Sequence, residues 1–296
     1  MAVTVLKYEV SHGSPEVVCG EHSCEQLRSG EEAETLQFLA QRPVHTVYMA
    51  TLIRDNGLAS PDNRGSFYVC RNGSGKMEGV ALIGHATMLE ARTDHAVAAF
   101  AQLAARSQHA HLIRGERALV ENFWTHYAGA GQELRLICRE MLFEKTDPAP
   151  VTFDDIELRQ ATTADLEHVL AVNAMLAFEE ARVNPLQRDP KGFRGRTARR
   201  IERGRVWIAT EADRPVFKAD LVGETLEMVY LEGIHVDAQR RGQGYGKRCL
   251  MQLSSILMRN HGGICLTINQ RKADTVAFYV KAGFDYQTEY LSLYLR

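Results

Sequence analysis

The chain of 296 residues is long enough for about two domains of ordinary size. Hydrophobic residues make up 45% of the sequence and charged residues 24%, which excludes a wholly disordered or fibrous chain. The formal net charge of −2 gives the chain no general attraction for nucleic acid or anionic lipid, so neither is expected as a partner.

Targeting signals and metal motifs are not evident in the sequence. No stretch approaches the ~20 apolar residues that a membrane helix needs. The opening residues, MAVTVLKYEVSHGS, lack a charged start followed by a sustained apolar block, so we expect no signal peptide and a cytoplasmic location. Cys19, His22 and Cys24 lie close together, but no second ligand pair at a zinc spacing follows them. We therefore expect ordinary thiols and no metal site.

The first half of the chain alternates helical and strand-like patterns. Apolar residues at helical spacing predict helices, and two apolar runs on either side of a polar, glycine-containing turn at 71–75 predict a β-hairpin. The predicted elements are helices over 31–39 and 44–53, strands over 66–70 and 77–88, helices over 95–106 and 116–127, and a strand over 134–142.

The clearest boundary is the tract Asp147-Pro148-Ala149-Pro150, because each proline fixes its own φ and biases the preceding residue to an extended conformation. We therefore predict one domain over 1–147 and a second over 152–296. The second begins with a strand over 156–159, and a threonine near 162 can cap the helix that follows. The further elements are that helix through 166–175, a helix over 190–204, strands over 206–210, 216–221 and 228–236, a helix from about 244 to 257, a strand over 264–268, a helix over 273–281 and a strand over 286–295.

Strands and helices interleave in both halves, which indicates an α/β (α+β) fold. The order of helix, helix, strand, strand, helix, helix, strand in the first half resembles the order in the second. The chain is therefore consistent with a diverged duplication.

A glycine-rich turn follows the strand predicted over 228–236. Glycines stand at alternate positions from Gly242 to Gly246, just before an amphipathic helix. Glycine lets the backbone approach a ligand closely, and the N–H groups at a helix amino terminus favour negative charge. The turn therefore predicts a phosphate-binding site, although glycines that only tighten the packing of strand and helix stay possible.

Two familiar phosphate-binding motifs do not fit this turn. A dinucleotide fingerprint that starts at Gly242 needs glycine where the chain has Lys247. A P-loop that ends at Lys247 needs glycine at Arg241 and serine or threonine at Arg248. The turn belongs to neither class.

Two motifs together resemble the GNAT superfamily of acyl-CoA-dependent N-acyltransferases. The family signature, Arg or Gln, two residues, Gly, one residue, Gly or Ala, is matched by Arg241, Gly244 and Gly246 at a strand-to-helix junction. Downstream, the segment Phe278-Tyr279-Val280-Lys281-Ala282-Gly283-Phe284 is similar to the closing motif of the family. The resemblance covers about residues 152–296, and the chain is similar to a tandem GNAT-like protein.

The resemblance implies two lobes, each a mixed, mainly antiparallel sheet flanked by helices, with splayed strands at the acyl-CoA site of the second lobe. The first lobe would be a degenerate copy without a CoA cradle. The chain departs from the family at Lys272, where an asparagine is often found, with Asn269 upstream. The residues expected to bind acetyl-CoA are Ile234, His235, Val236, Arg241, Gly242, Gln243, Gly244, Tyr245, Gly246, Lys247 and Asn269.

The implied activity is transfer of an acetyl or other acyl group from acetyl-CoA to a primary amine of a small molecule or peptide, by direct attack in a ternary complex and without a metal. Tyr279 matches the general acid of the family, and the main-chain N–H of Val236 matches its oxyanion donor. The expected base is Glu232, which interrupts a strand expected to be buried and shares strand parity with Val236 unless a bulge intervenes. Glu227 and His235 are the alternatives.

Two further alternatives stay open. The segment from Arg194 to Arg205 holds six arginines and one acidic residue, Glu202. It could bind an acidic substrate or phosphate groups, or it could be a solvated helix face. The chain could also be a non-catalytic module that senses acyl-CoA or binds a partner, and the sequence does not specify its oligomeric state.

Overall fold

The computed structural model describes residues 17–19, 22–107, 110–147, 150–211 and 214–296. Contacts divide the chain into one unit of Met1–Glu140 with Thr288–Arg296 and a second unit of Met141–Gln287. The predicted boundary tract lies partly outside the described residues, since Pro148 and Ala149 are not described. The division differs from the predicted lobes because the chain changes unit within a strand and because its last residues return to the first unit.

The first unit contains a mixed sheet with helices on both faces. Its elements are β1 (Val17–Cys19), β2 (His22–Gln26), α1 (Glu32–Leu39), α2 (Pro43–Asn56), β3 (Gly65–Arg71), β4 (Met77–Gly84), β5 (Ala86–Ala91), α3 (Asp94–Ala105), β6 (Leu112–Glu116), α4 (Arg117–Tyr127) and the first part of β7 (Leu134–Lys145).

The sheet order in this unit is β1-β2-β3-β4-β5-β6, followed by the last part of β13 (Asp285–Leu295). Neighbouring strands are antiparallel except β5 and β6, which are parallel. Tyr290 pairs with Glu116 and Tyr294 with Leu112, so the end of the chain completes this sheet. This pairing explains why residues 288–296 belong to the first unit.

Strand alternation separates two cores in the first unit. Phe67 and Val69 of β3 are buried in a cluster with Leu39 of α1 and Ile53 of α2. Cys70 points to the opposite face, where a second cluster contains the alanine-rich side of α3 and the aromatic side chains of α4. The helices thus cover both faces of the sheet.

The second unit repeats this architecture. Its elements are the end of β7, β8 (Leu158–Gln160), α5 (Leu166–Ala181), α6 (Pro185–Arg188), α7 (Pro190–Glu202), β9 (Val206–Glu211), β10 (Arg214–Glu224), β11 (Val229–Val236), α8 (Tyr245–Leu257), β12 (Ile264–Asn269), α9 (Ala273–Lys281) and the start of β13.

The sheet order in the second unit is β8-β9-β10-β11-β12-β7. Strands β8 to β11 are antiparallel, and β11 and β12 are parallel. The predicted threonine is the N-cap of a 3-10 turn, Thr163–Asp165, that leads directly into α5. It forms a capping box with Asp165, whose Oδ2 accepts a hydrogen bond from the Thr162 N–H at 2.7 Å. The mixed, mainly antiparallel sheets with flanking helices confirm the predicted fold class.

Most predicted elements lie within a few residues of the observed ones. The short elements β1, β2 and α6 were not predicted, and two further differences stand out. The strand predicted over 77–88 is divided into β4 and β5 by a tight turn, in which the His85 N–H donates to the Arg64 carbonyl at 2.9 Å. Strand β6 was not predicted, because its five residues, LIRGE, are too short and polar for a clear alternation. In the described part of the chain, every helix is too short or too polar to cross a membrane.

Candidate active site

Strands β11 and β12 form a parallel pair that separates toward its carboxyl end. Val229 pairs with Ile264 and Tyr230 with Cys265, near the amino ends of the two strands. Beyond these pairs β11 continues to Val236 and β12 to Asn269. A parallel pair that parts in this way exposes main-chain N–H and C=O groups in the gap. The strands are therefore arranged to hold an extended ligand arm.

The glycine-rich turn begins where β11 ends. The Asp237 carboxylate accepts a hydrogen bond from the Gln239 N–H at 2.9 Å and starts a short 3-10 turn, Ala238–Arg240. Gly242 and Gly244 follow with φ of +74° and +75°, a region that L residues rarely adopt. A Cβ at either glycine would meet nothing within 4 Å. The two glycines therefore have a backbone role and leave space above the turn.

The third glycine acts through packing. A Cβ on Gly246 would lie 2.5 Å from Val236 Cγ2, so only glycine lets the start of α8 approach the end of β11 this closely. Gly244 is the N-cap of α8, and it has no side chain with which to bind the first amides of the helix. Open space and uncapped N–H groups at a helix amino terminus together favour an anion.

The side chains of the turn hold its shape and add positive charge. Arg241 Nε donates to the Val236 carbonyl at 2.9 Å, and Gln243 Nε2 donates to the Gln239 carbonyl at 2.8 Å. Tyr245 is buried behind the turn, and burial raises the pKa of its phenol to about 12. Residues 241–244 are exposed, whereas Lys247 is half-buried.

A β-bulge in β11 changes the predicted orientation of Glu232. His235 pairs with Lys218 and Glu232 with Asp220, so β11 has one extra residue between these pairs. Gly233 supplies the bulge with φ of +59°. The expectation that Glu232 shares a face with Val236 is therefore wrong, and so is its expected burial, because Glu232 is exposed.

The bulge divides the polar and apolar side chains of β11 between the two faces of the sheet. Val229 and Leu231 before the bulge, and Ile234 and Val236 after it, belong to the core that contains the apolar side of α8. Glu232 and His235 instead share the opposite face with their register partners on β10, Lys218 and Asp220.

Lys218 lies under the bulge and is 2% exposed. Its Nζ donates to the Asn173 side-chain oxygen of α5 and to the Gly233 carbonyl at 3.1 Å, and it pairs with Asp220 Oδ1 at 2.9 Å. The Asp220 carboxylate also accepts from Arg200 Nη1 of α7 at 2.9 Å. Burial lowers the pKa of Lys218, and Asp220 opposes this shift.

The half-buried imidazole of His235 lies on this face. Its pKa is lowered, first by burial and then by Arg241 and Lys218, so it is neutral at pH 7. A neutral imidazole can accept a proton. The structure thus brings two of the three predicted base candidates, Glu232 and His235, to one face of β11.

The third candidate lies elsewhere. Glu227 precedes β11 and is therefore at the opposite end of the strand from the glycine-rich turn, roughly 30 Å away at ~3.3 Å per residue. Asn269 ends β12, and its side-chain oxygen accepts a hydrogen bond from the Arg271 N–H at 3.0 Å. Asn269 therefore shapes the turn that leads through Lys272 into α9.

Tyr279 is buried in the core of the second unit. Its ring packs edge-on against Phe278 at 5.0 Å and Phe284 at 5.9 Å between centroids. Burial raises the pKa of its phenol, which keeps the hydroxyl protonated at neutral pH. Tyr279 therefore packs as a core aromatic residue, and its protonated hydroxyl has a proton that it can donate.

The arginines of α7 are directed mainly to carboxylates. Arg194 pairs with Glu167, Arg196 with Asp189 and Arg200 with the buried Asp220. These contacts fit the solvated-face interpretation of the arginine run better than a basic ligand site.

No three His, Cys, Asp or Glu side chains come together as metal ligands among the residues that the structure describes. The side chains of Cys19 and His22 are outside this part of the chain. The absence of a metal site at Cys19, His22 and Cys24 therefore stays a prediction.

Two features of the second unit characterise the protein. Its mixed sheet has a parallel pair of strands that part, and beside them a glycine-rich turn starts a helix and favours an anion. Residues 202–286 match the family Acetyltransferase (GNAT) domain. The matched segment lies in the second unit and contains the glycine-rich turn and Tyr279. The GNAT fold indicates acyl transfer from acyl-CoA in general, and the family generally acts on amine acceptors. No protein with a curated description matches the chain at a significant level.

Solved structures that share the fold cover nearly the whole chain. A Drosophila protein has a TM-score of 0.66 at 11% identity and covers 92% of this chain and 98% of its own. A GCN5-related N-acetyltransferase from Sphaerobacter thermophilus has a TM-score of 0.56 at 12% identity, covering 94% and 96%. A tandem GNAT protein from the clavulanic acid biosynthesis pathway has a TM-score of 0.56 at 12% identity, covering 92% and 98%. At these identities the likeness shows the fold alone.

Proposed function

We propose that the chain is an N-acyltransferase that moves an acyl group, most simply acetyl, from acyl-CoA to a primary amine in a ternary complex. The observation that carries the proposal is the open turn at Gly242 and Gly244, set at the start of α8 beside strands that part. A phosphate needs N–H donors, positive helix charge and space, and this turn offers all three.

The turn fits a diphosphate because a Cβ at either glycine would project into open space, and such space can admit a ligand. The amides from Arg241 to Lys247 would hold the diphosphate, and the edge of β11 from Ile234 to Val236 would bind the arm that follows it. The bound acyl-CoA supplies an activated thioester carbonyl. Asn269 borders the same gap from β12.

The residues around the gap could then perform the proton transfers. A main-chain N–H near the end of β11, with Val236 as first choice, would polarise the thioester carbonyl. Tyr279, protonated at neutral pH, would give a proton to the departing thiolate. Glu232 stays our first choice of base, because exposure lets its carboxylate accept the amine proton directly or through water. Neutral His235 on the same face is the second.

The first unit is proposed to bind no acyl-CoA. Its parallel strands β5 and β6 are connected by α3, and this helix starts differently from α8, because Thr93 Oγ1 accepts a hydrogen bond from the Ala96 N–H at 3.3 Å. Asp94 adds a negative charge in the first turn of α3. A capped helix start with an acidic first turn repels phosphate where an open one attracts it.

The test is a pair of measurements on the intact chain. Calorimetry with acetyl-CoA should give one binding site per chain, and release of free CoA thiol should depend on an added amine from a broad panel that includes peptides and aminoglycosides. Two sites per chain would overturn the assignment of the first unit. Tight binding without transfer to any acceptor would favour the acyl-CoA-sensing alternative, and no binding would refute the proposal.

A further inference from the structure

We propose that Lys218 is a positioning residue of the acyl-transfer site, which holds the Gly233 bulge and thereby fixes the direction of the Ile234 amide at the edge of the strand gap. This inference rests on the proposed function. It assigns a role to a buried lysine that neither the GNAT signature nor the closing motif includes.

The contacts of Lys218 make the bulge and two helices one rigid assembly. Its ammonium group joins Asn173 of α5, Asp220 of its own strand and the carbonyl of Gly233. Arg200 of α7 binds the other oxygen of the Asp220 carboxylate. These three partners fix the position of the Lys218 ammonium group, because an unpaired polar or charged group in the protein interior costs folding free energy.

Gly233 is required at the bulge for two reasons. Its φ of +59° strains any L residue, and a Cβ at this position would lie 2.8 Å from Lys218 Nζ. The glycine and the lysine are therefore mutually dependent: the side chain that holds the bulge occupies the space that another residue would need.

The bond to the Gly233 carbonyl determines where the next amide points. In a trans peptide the C=O and the following N–H are oppositely directed, and the structure contains no cis peptide among its described residues. With its carbonyl held by Lys218, the Gly233–Ile234 peptide directs the Ile234 N–H away from the Lys218 side. Ile234 borders the gap into which β11 extends after its last pair with β12.

The alternative is that the buried ion pair only stabilises the fold. It would then behave like the pair of Arg205 Nε and Glu224 Oε2, 2.9 Å apart, which joins the opposite end of the same strand, β10. Glu224 pairs with Val229, at the start of β11. Arg205→Met is therefore a matched control, because it removes a cation that is paired with the last residue of β10, far from the bulge.

The experiment compares Lys218→Met and Asn173→Ala with Arg205→Met and the wild type. We expect Lys218→Met to lower kcat about 10–100-fold, while its Kd for acetyl-CoA stays within about threefold. This loss is smaller than the ~10²–10³-fold for removal of an oxyanion donor, because the amides that follow the bulge are misdirected and not lost. Asn173→Ala, which leaves the Gly233 bond in place, should lower kcat less. Arg205→Met should change kcat less than about twofold even where it lowers the unfolding midpoint equally.

A second readout separates this inference from the proposed function. Amide exchange of Ile234, followed by NMR, should accelerate in Lys218→Met and not in Arg205→Met, whether or not an acceptor amine is known. Unchanged exchange, unchanged kcat, or a kcat loss shared by Arg205→Met would overturn the positioning role. If Lys218→Met does not fold, Asn173→Ala, which removes one of the three partners that fix Lys218 Nζ, should still give a smaller acceleration of Ile234 exchange and a smaller loss of kcat than expected for Lys218→Met. No change in either quantity would then overturn the positioning role. If the wild type binds no acetyl-CoA, the proposed function is refuted. The exchange measurement would then still test whether Lys218 holds the bulge at Gly233.

Discussion

Gly244→Ala separates the backbone role of the cradle glycine from its ligand role. At φ of +75° an alanine meets no neighbouring atom within 4 Å, so the direct penalty is conformational. Left-handed backbone costs an L residue about 1–2 kcal/mol. For a unit of this size, each kcal/mol lowers the unfolding midpoint by about 2–4 °C. We therefore expect a modest loss of stability in the free protein.

The loss of acyl-CoA affinity should be larger. The new methyl group enters the space above the turn, and the backbone relaxes away from the geometry that aims its N–H groups. Hydrogen bonds to a charged group contribute about 1.5–3 kcal/mol each. Weakening one of them, at 1.4 kcal/mol for each tenfold change, predicts a Kd for acetyl-CoA about 10–100-fold higher by calorimetry.

Gly75→Ala is the matched control. Gly75 lies in the β3–β4 turn of the first unit with φ of +81°, and a Cβ there also meets nothing within 4 Å. It should lower the unfolding midpoint by a similar amount and leave the Kd unchanged. Equal effects on Kd from both variants, or no effect from Gly244→Ala, would refute the assignment of the turn as the diphosphate site.

Three further predictions concern protons. Tyr279→Phe should lower the rate of acyl transfer by about 100-fold or more with the Kd for acetyl-CoA nearly unchanged. An unaltered rate of CoA release would show that Tyr279 is not the general acid. Arg159, bonded to Asp165, holds the pKa of that carboxyl at about 2. The ionised carboxylate therefore contributes to the free energy of unfolding above pH ~4, and this contribution is lost as the pH falls toward 2. Asp165→Asn should therefore cost about 1–2 kcal/mol at pH 7 in urea unfolding, and a penalty that does not shrink in acid would contradict this. Burial lowers the pKa of His45 to about 4, so unfolded chains bind a proton that folded ones exclude, and stability should fall as the pH drops from about 6.5 to 4. His45→Gln should flatten that fall in calorimetric midpoints, and an equally steep decline would argue against the histidine.

The turn was predictable from sequence because its chemistry depends on local spacing. Glycines at alternate positions after an apolar strand fix both the backbone freedom and the helix start, and the structure places them at the junction predicted for them. The separation of β11 from β12 followed from the family resemblance rather than from any pattern in the two strands.

The bulge and its lysine were not predicted. Gly233 inside an apolar strand was the available signal, since an isolated glycine in a strand often marks a bulge. Lys218 and Asp220 alternate with apolar residues in β10, which normally indicates a solvated face. Their burial depends on α5 and α7 covering that face, and contacts between elements distant in sequence are not encoded in local periodicity. The same reason explains why the placement of residues 288–296 was missed.

The pairing of Tyr290 through Tyr294 with β6 has a consequence for synthesis. A ribosome makes the first unit almost entirely before it makes the second, yet the strand that borders β6 emerges only after the second unit. Until then β6 presents an open edge, and closing it requires two segments about 180 residues apart to meet, which is slow compared with local folding. Nascent first units should therefore depend on chaperones that shield strand edges until β13 has been made.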